Sequence, residues 1–231
     1  MKKLLVICPT IHRSKKIVEF LESFTKTKSE ETDLILGLDE KDKDLENYQK
    51  LSETYDFAIG LFSGENITKI FNAIAFDEQN YLYDYFMLSN DDFVFKTPEW
   101  DRILIEEIEK HGKGIAYGND LFQKDNHPTT PVISTEIIKA LGWLQMPTLT
   151  HLFGDTVWAT IGVNAKCLYY RDDVIIEHKH PVAQKAEVDS VFTYTNSEDM
   201  YKKDQEAYNQ WIIEKAGLDI AKVKLVCKDN K

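Results

Sequence analysis

The sequence predicts an α/β fold, Rossmann-like in its first half, with a mostly parallel central sheet and helices on both faces. Three observations point there. Short, continuous apolar runs recur at residues 4–8, 34–38, 57–62 and 85–88, as expected of strands covered on both faces. Stretches with helical spacing separate these runs, and crossovers of that length imply parallel pairing with right-handed connections. Each run ends in polar residues, the end at which such sheets bind ligands.

Residues 4–8, Leu-Leu-Val-Ile-Cys, form the first strand. Ser14 is a candidate cap for a helix whose Ile17, Phe20, Leu21 and Phe24 follow i, i+3, i+4, i+7 spacing. After the strand at 34–38, the charged loop 39–44 leads into a polar helix ending near Thr54. Residues 57–62 are the third strand. Asn66 or Thr68 then opens a helix that buries Ile67, Ile70, Phe71 and Ile74. Residues 85–88 are the fourth strand.

Beyond residue 95 the alternation stops. Thr97-Pro98-Glu99 has the makings of a helix start, with a capping hydroxyl, a proline at the first helical position and an early acid. That helix runs from about residue 100 to 111 and stops at Gly112. A short strand at 114–117, a turn at Gly118-Asn119-Asp120 and a loop over 121–135 follow. Ile137, Ile138, Leu141 and Leu144 mark another helix, and Gly154-Asp155-Thr156 precedes an apolar helical turn with Val157, Trp158 and Ile161. Residues 167–170 and 174–176 read as a hairpin around Arg171-Asp172-Asp173. A last helix spans about 198–216 and buries Tyr201, Tyr208, Trp211 and Ile212, with a frayed tail at 228–231.

Composition narrows the function classes. At 43% hydrophobic and 29% charged residues the chain is globular rather than disordered. A net charge of −11 argues against a broad electrostatic grip on nucleic acid or anionic membrane. Cys8, Cys167 and Cys227 form no CxxC pair and no zinc spacing. Cys8 and Cys167 lie in apolar strand-like runs and read as buried thiols, which suggests the cytoplasm. The apolar run near the N-terminus is too short for a signal peptide, and no run approaches the roughly 18 apolar residues of a membrane span.

The most informative stretch is residues 85–95, Tyr-Phe-Met-Leu-Ser-Asn-Asp-Asp-Phe-Val-Phe. Adjacent carboxylates at the end of a buried strand repel each other and must be desolvated, so water, a helix terminus or a cation has to compensate them. A divalent cation that also grips a diphosphate is the functional answer; a plain Asn/Asp turn is the structural one. Pro9-Thr10 with His12-Arg13, Asp39-Glu40 and Ser63-Gly64-Glu65 end the other strands, and together these ends outline a ligand crevice.

In order and spacing these features resemble the GT-A glycosyltransferases, in particular the inverting, family-2-like enzymes. Leu88-Ser89-Asn90-Asp91-Asp92 is similar to their DxD motif, and Leu36-Gly37-Leu38-Asp39 to their second-strand acid. Residues 64–72 resemble the glycine-started helix beside the nucleotide. Gly154-Asp155 stands where such enzymes carry a catalytic acid, and His178-Lys179-His180-Pro181 is similar to their late histidine motif. The resemblance covers roughly residues 3–195. It implies a single GT-A domain over 1–227: a nucleotide-sugar-binding half (1–95), an acceptor and catalytic half (96–195) and a C-terminal helical extension (196–227). The implied activity is metal-dependent transfer of a hexosyl or pentosyl group from a nucleoside-diphosphate sugar, a UDP-sugar favoured, to an acceptor hydroxyl. It also implies donor contacts at Pro9, Thr10, His12, Arg13, Asp39, Asn66, Lys69, Asn90, Asp91 and Lys185. Asp92 is the favoured metal ligand, Asp91 the second, and His178 or His180 the late one. The chain departs from the pattern in that Asn90 or Ser89 opens the DxD-like triplet, depending on register, and Asp39-Glu40 replaces a longer acidic run.

The chemistry can also be argued directly. A leaving diphosphate takes up negative charge, which a bridging divalent cation stabilises. Oxygen ligands with an imidazole suit Mn²⁺ or Mg²⁺, the imidazole favouring Mn²⁺. An acceptor hydroxyl needs a general base, worth roughly 10²–10⁴-fold. Asp155 is the candidate, and a base opposite the leaving group gives inversion; Gly-Asp-Thr also suits a helix cap, and the two roles are compatible. Alternation along a strand admits at most one of His178 and His180 to the site, with His178 favoured because Pro181 holds His180 extended. Lys185 lies on a loop able to close over a diphosphate, or is simply solvated. Trp100, Trp143 and His151 are candidate acceptor contacts, Trp100 being equally suited to helix core. The acceptor is a glycan, a protein, a small molecule or, given the compact phage-like format, a modified DNA base. Two alternatives compete: a sugar-phosphate nucleotidyltransferase, for which residues 9–13 lack the expected glycine-rich loop, and a non-catalytic nucleotide- or sugar-binding module.

Overall fold

The computed structural model describes residues 3–80 and 82–228. Its first half alternates strand and helix: β1 (Leu4–Pro9), α1 (Ile17–Thr27), β2 (Thr32–Asp39), α2 (Leu45–Ser52), β3 (Ala58–Phe62), α3 (Ile67–Ala75) and β4 (Tyr85–Leu88). β1 pairs in parallel with β2 and β4, and β2 in parallel with β3. Every side chain of β1 is buried because both faces are covered. Leu5 and Ile7 pack with Ile70, Phe71 and Ile74 of α3, while Leu4, Val6 and Cys8 pack with Phe20, Leu21 and Phe24 of α1. The unbroken apolar run is thus two alternating faces of one strand. α3 is capped by Asn66, whose side chain accepts a 3.0 Å bond from the Lys69 N–H.

The second half contains β5 (Phe93–Phe95), α4 (Trp100–His111), β6 (Ile115–Asn119), β7 (Val132–Ser134), α5 (Thr135–Leu141), α6 (Gly154–Ala165), β8 (Leu168–His178), α7 (Ser190–Thr195), α8 (Glu198–Glu214) and α9 (Ala216–Lys228). Among the described residues one sheet runs β3-β2-β1-β4-β7-β6-β8-β5. β7 lies antiparallel between β4 and β6. In the sequence this stretch reads as loop, because a three-residue strand is too short to show a period.

The expected hairpin at 167–176 is instead one 11-residue strand, β8, which runs parallel to β6 and antiparallel to β5. Its register against β6 jumps from Gly118↔Arg171 to Asn119↔Ile175, so residues 172–174 bulge. Gly118 permits this close approach: a Cβ there would lie 2.5 Å from the Val174 carbonyl oxygen. The polar bulge looked like a turn, yet the strand resumes and carries His178 to the cavity.

Two helix starts also differ from expectation. Thr97 does not cap α4: its Oγ1 accepts from the Ile175 N–H at 2.8 Å, and left-handed Glu99 (φ 54) precedes the helix. Ser14 donates to Asp44 at 3.0 Å, and α1 starts at Ile17. At the C-terminal end α8 stops at Glu214 and α9 follows, packing against α5, α6 and α8. α8 buries Trp211 and Asp204, while Tyr201 and Ile212 are exposed, contrary to the sequence reading. The frayed tail expected at 228–231 lies, from residue 229 onward, outside the described residues. Among the described residues no helix is long and apolar enough to cross a membrane.

Candidate functional site

A cavity of about 300 Å³ opens at the carboxyl ends of β1, β2 and β4. Pro9, Thr10, Arg13 and Asp39 line one side; Asn90, Asp91, Asp92, His178 and His180 the middle; and His151, Asp155 and Trp158 the other. Val191, Phe192, Thr195 and Asn196, on and just after α7, also line it.

Asp91 is buried and fully engaged. It accepts from Thr10 Oγ1 at 2.5 Å and from Arg13 Nη1 at 2.7 Å. Burial raises its pKa, while Arg13 and the Thr10 bond pull it back. Burial alone would lower Arg13, but Asp91 and Asp189 outweigh it and raise it. Tyr48 backs this pair, with its hydroxyl 3.2 Å from Thr10 Oγ1 and accepting from the Arg13 N–H at 2.9 Å.

Asp92 differs. Its Oδ2 lies 3.4 Å from His178 Nε2. Its Oδ1 is buried with no hydrogen-bond partner, as is His178 Nδ1, which sits 3.9 Å from Asp120 Oδ2. Burial raises the Asp92 pKa, but the His178 contact and Arg13 outweigh it and hold the carboxyl below its usual value. The antiparallel β5–β8 register sets this juxtaposition by placing His178 opposite Phe93, and the Lys179 N–H donates to the Asp92 carbonyl at 2.8 Å. The His178 ring stacks on Phe93 at 4.4 Å.

The sequence-implied divalent cation can be tested against these atoms. Buried orphan acceptors are costly, and a carboxylate oxygen beside an imidazole is a donor set that Mn²⁺ or Mg²⁺ accepts. Among the described residues no three His, Cys, Asp or Glu side chains converge into a metal cage. By that donor set, the residues present fit the group.

Both histidines line the cavity, although strand alternation predicted only one. β8 ends at His178, so His180 lies beyond the regular strand. His180 caps the following turn by accepting from the Val182 N–H at 3.2 Å, and burial lowers its pKa.

Asp155 lies in the first turn of α6 rather than at its cap, which is left-handed Phe153 (φ 66). Its Oδ1 accepts from the Thr156 N–H at 2.7 Å. Burial lowers the pKa of His151 to about 4, leaving a neutral imidazole in the wall. Asp39 accepts from the Lys41 and Gly64 N–H groups at 2.7 and 2.9 Å.

Other sequence candidates lie outside the cavity lining. Trp100 is fully buried against Phe95 and Phe24, at 4.7 and 6.1 Å between rings, because the first turn of α4 faces the core. Trp143 packs behind Trp158 at 5.4 Å, so Trp158 presents the surface instead. His12 is turned away by a left-handed backbone (φ 56) and pairs with Asp42 at 2.7 Å. Asn66 spends its side chain on the α3 cap, and Lys69 pairs with Glu65 at 2.6 Å. Lys185 bonds Glu177 at 3.1 Å and the Leu121 carbonyl at 3.2 Å, lining a neighbouring cavity with Arg13, Lys16 and Lys179.

Sequence reading missed three groups. Gln145 lines the cavity with a buried, unpartnered Oε1, its backbone held by Asn72 at 2.7 and 3.0 Å. Asp189 caps α7 and binds Arg13 Nε and Nη2 at 3.0 and 2.9 Å and Lys16 at 2.6 Å. Asp204 binds the backbone before α6. Asp204 left a trace in the sequence as an acid on the same helix face as Tyr208 and Trp211, and Asp189 as a capping residue before α7.

No family model matches the sequence, and no curated protein matches it. Solved structures do. S. aureus TarS 1-349 superposes with a TM-score of 0.59 at 12% identity, covering 96% of this chain and 80% of that one. The same protein in complex with UDP gives 0.60 at 14% identity, covering 93% and 73%. The mannosyltransferase PcManGT from Pyrobaculum calidifontis, in complex with GDP-Man and Mn2+, gives 0.61 at 9% identity, covering 97% and 74%. This chain spans 44% of a longer TarS chain. At these identities the likeness is one of fold. The α/β fold read from the sequence, with its mostly parallel central sheet and helices, is the fold of these proteins.

Proposed function

We propose that this chain is a metal-dependent glycosyltransferase that moves a sugar from a nucleoside-diphosphate sugar to an acceptor hydroxyl. The observation that carries this reading is the contact between Asp92 and His178, with one oxygen and one nitrogen of the pair buried and unpartnered, in a cavity at the carboxyl ends of parallel strands. Support comes from neighbours of the same fold that bind UDP, UDP-GlcNAc or GDP-Man, one of them with Mn2+.

In this reading Asp39, Pro9 and Thr10 hold the nucleoside end, and Arg13 faces the diphosphate. Asp92 and His178 hold Mn²⁺ or Mg²⁺, with His180 as the further candidate and Asp91 reserved for fixing Arg13 and Thr10. When bound, the cation supplies positive charge to the departing diphosphate. Asp155 takes the proton of the acceptor hydroxyl. The hydroxyl oxygen bonds to the anomeric carbon as the carbon–phosphate oxygen bond breaks, and the nucleoside diphosphate leaves with the electron pair. Attack opposite the leaving group inverts the anomeric centre. The whole of residues 1–227 acts as one catalytic domain, working in the cytoplasm. UDP is the favoured nucleotide.

The test is release of UDP or GDP from a panel of UDP- and GDP-sugars with Mn²⁺, with and without hydroxylated acceptors. Release from one donor, abolished by chelation, is the expected result. No binding and no release for any donor would overturn the reading.

A further inference from the structure

α8 presents one face made of Tyr201, Asp204, Tyr208 and Trp211, spaced as neighbours on a helix surface. That face meets the segment that leads into α6. Asp204 is fully buried and forms no ion pair with any described residue. Its oxygens instead accept three consecutive backbone N–H groups: Thr150 at 2.8 Å, and His151 and Leu152 at 2.7 Å each. Successive amides turned toward one point make an anion-binding concavity, here filled by a carboxylate from a helix 54 residues away.

The same face holds the next residue. The ring of left-handed Phe153 lies 5.3 Å from Tyr201 and 5.7 Å from Tyr208, and the Tyr208 hydroxyl is 2.9 Å from Thr160 Oγ1 on α6. What this segment carries gives the arrangement its meaning: His151 and Asp155 both line the cavity. An apolar residue at 204 could fill the space but would leave three amides without acceptors. The carboxylate therefore dictates one backbone path rather than only burying area.

We propose that Asp204 is a positioning residue for the reaction. It fixes residues 150–152 so that α6 begins at Gly154 with Asp155 and His151 directed at the cavity. The inference rests on the reading of Asp155 as the base. It makes the C-terminal helices part of the catalytic apparatus rather than an appended extension.

The test uses Asp204→Asn in the full chain. The amide keeps one acceptor oxygen and places an NH₂ where the second stood, so at least one backbone donor loses its partner. Three quantities are read: hydrogen exchange at 150–155, affinity for UDP and GDP with Mn²⁺, and nucleotide release from UDP-GlcNAc and GDP-mannose with water as acceptor. Expected are faster exchange at 150–152, nucleotide affinity changed less than about twofold, and release slowed about 10²-fold, the scale of a 1 Å misplacement. In an Asp155→Asn background, adding Asp204→Asn slows release no further, because both act through one group.

Unchanged exchange, unchanged release or additive losses would overturn the proposal. So would a fall in nucleotide affinity matching a general loss of stability, the mark of a purely structural role. If Asp155→Asn alone keeps full release, the reading of Asp155 falls and takes this inference with it. If Asp155→Asn is slow and Asp204→Asn is normal, only this inference falls. Should Asp204→Asn fail to fold, Tyr201→Leu removes a half-exposed ring from Phe153. Slower nucleotide release at unchanged nucleotide affinity then supports the proposal, and unchanged release overturns it.

Discussion

On the strand side of the cavity, Asp91 is gripped by Thr10 and Arg13, which follow β1, the strand paired directly with β4. On the helix side, the segment before α6 is gripped by Asp204 from α8, an element outside the sheet. The first wall is fixed by the ladder that makes the fold. The second depends on a helix docking correctly. Substitutions in the strand wall should therefore cost stability, whereas those in the helix wall should cost rate first.

Asp155→Asn tests the helix wall most severely. The expected result is a loss of about 10²–10⁴-fold in transfer rate with an unchanged melting temperature and unchanged Mn²⁺-dependent nucleotide affinity. A large stability loss would erase the contrast between the walls.

Arg13→Met tests the strand wall. It leaves the Asp91 carboxylate buried with only Thr10 as a donor side chain, and breaking such a pair costs about 3–5 kcal/mol. Urea denaturation measures it. A loss below about 1 kcal/mol, the range of exposed ion pairs, would mean the Arg13–Asp91 contact does not hold this wall.

Asp189 joins the strand wall to the segment over the cavity. Burial raises its pKa, but Arg13, Lys16 and the Phe192 N–H outweigh that and hold it well below its ordinary 3.8. A depressed carboxylate contributes stability that is full above the ordinary value and is lost as pH falls through the folded one. The hydrogen-exchange protection of residues 181–196, taken relative to the intrinsic rate at each pH, should thus hold at neutral pH and fall below about pH 4. Asp189→Asn should remove that part of the pH dependence.

Lys69→Ala should do least. Lys69 is 64% exposed and, among the described residues, pairs with Glu65 one turn away, so stability should change by less than about 0.5 kcal/mol. Nucleotide affinity should not move. A tenfold loss in calorimetry would return Lys69 to the donor site.

How much was legible follows the same division. β1 to β4 were readable because a strand buried on both faces leaves an unbroken apolar run, and polar residues mark where it ends. That is why Thr10, Arg13, Asp39, Asn90, Asp91 and Asp92 could be named as a group that the structure gathers at one cavity. Asp155, His151, His178 and His180 also reach it. His12, Asn66, Lys69 and Lys185 have the right residue types, but a left-handed backbone, a cap and local ion pairs occupy them. The bulge at 172–174 passed for a turn because Arg171-Asp172-Asp173 is polar, and pairing with β6 and β5 reveals the strand. Gln145 belongs to no local motif, and Asp204 shows in the sequence only as an acid on the helix face of Tyr208 and Trp211. Their roles come from contacts between elements distant in sequence.

The central claim is that Asp92 and His178 hold a cation that a nucleoside diphosphate shares. The most direct measurement is calorimetric titration of UDP and GDP, with and without Mn²⁺, into the wild-type chain and Asp92→Ala. The account predicts that one nucleotide binds only with Mn²⁺ and that the substitution abolishes this binding while the protein stays folded. Equal affinity without metal, or full metal-dependent binding in Asp92→Ala, would contradict it.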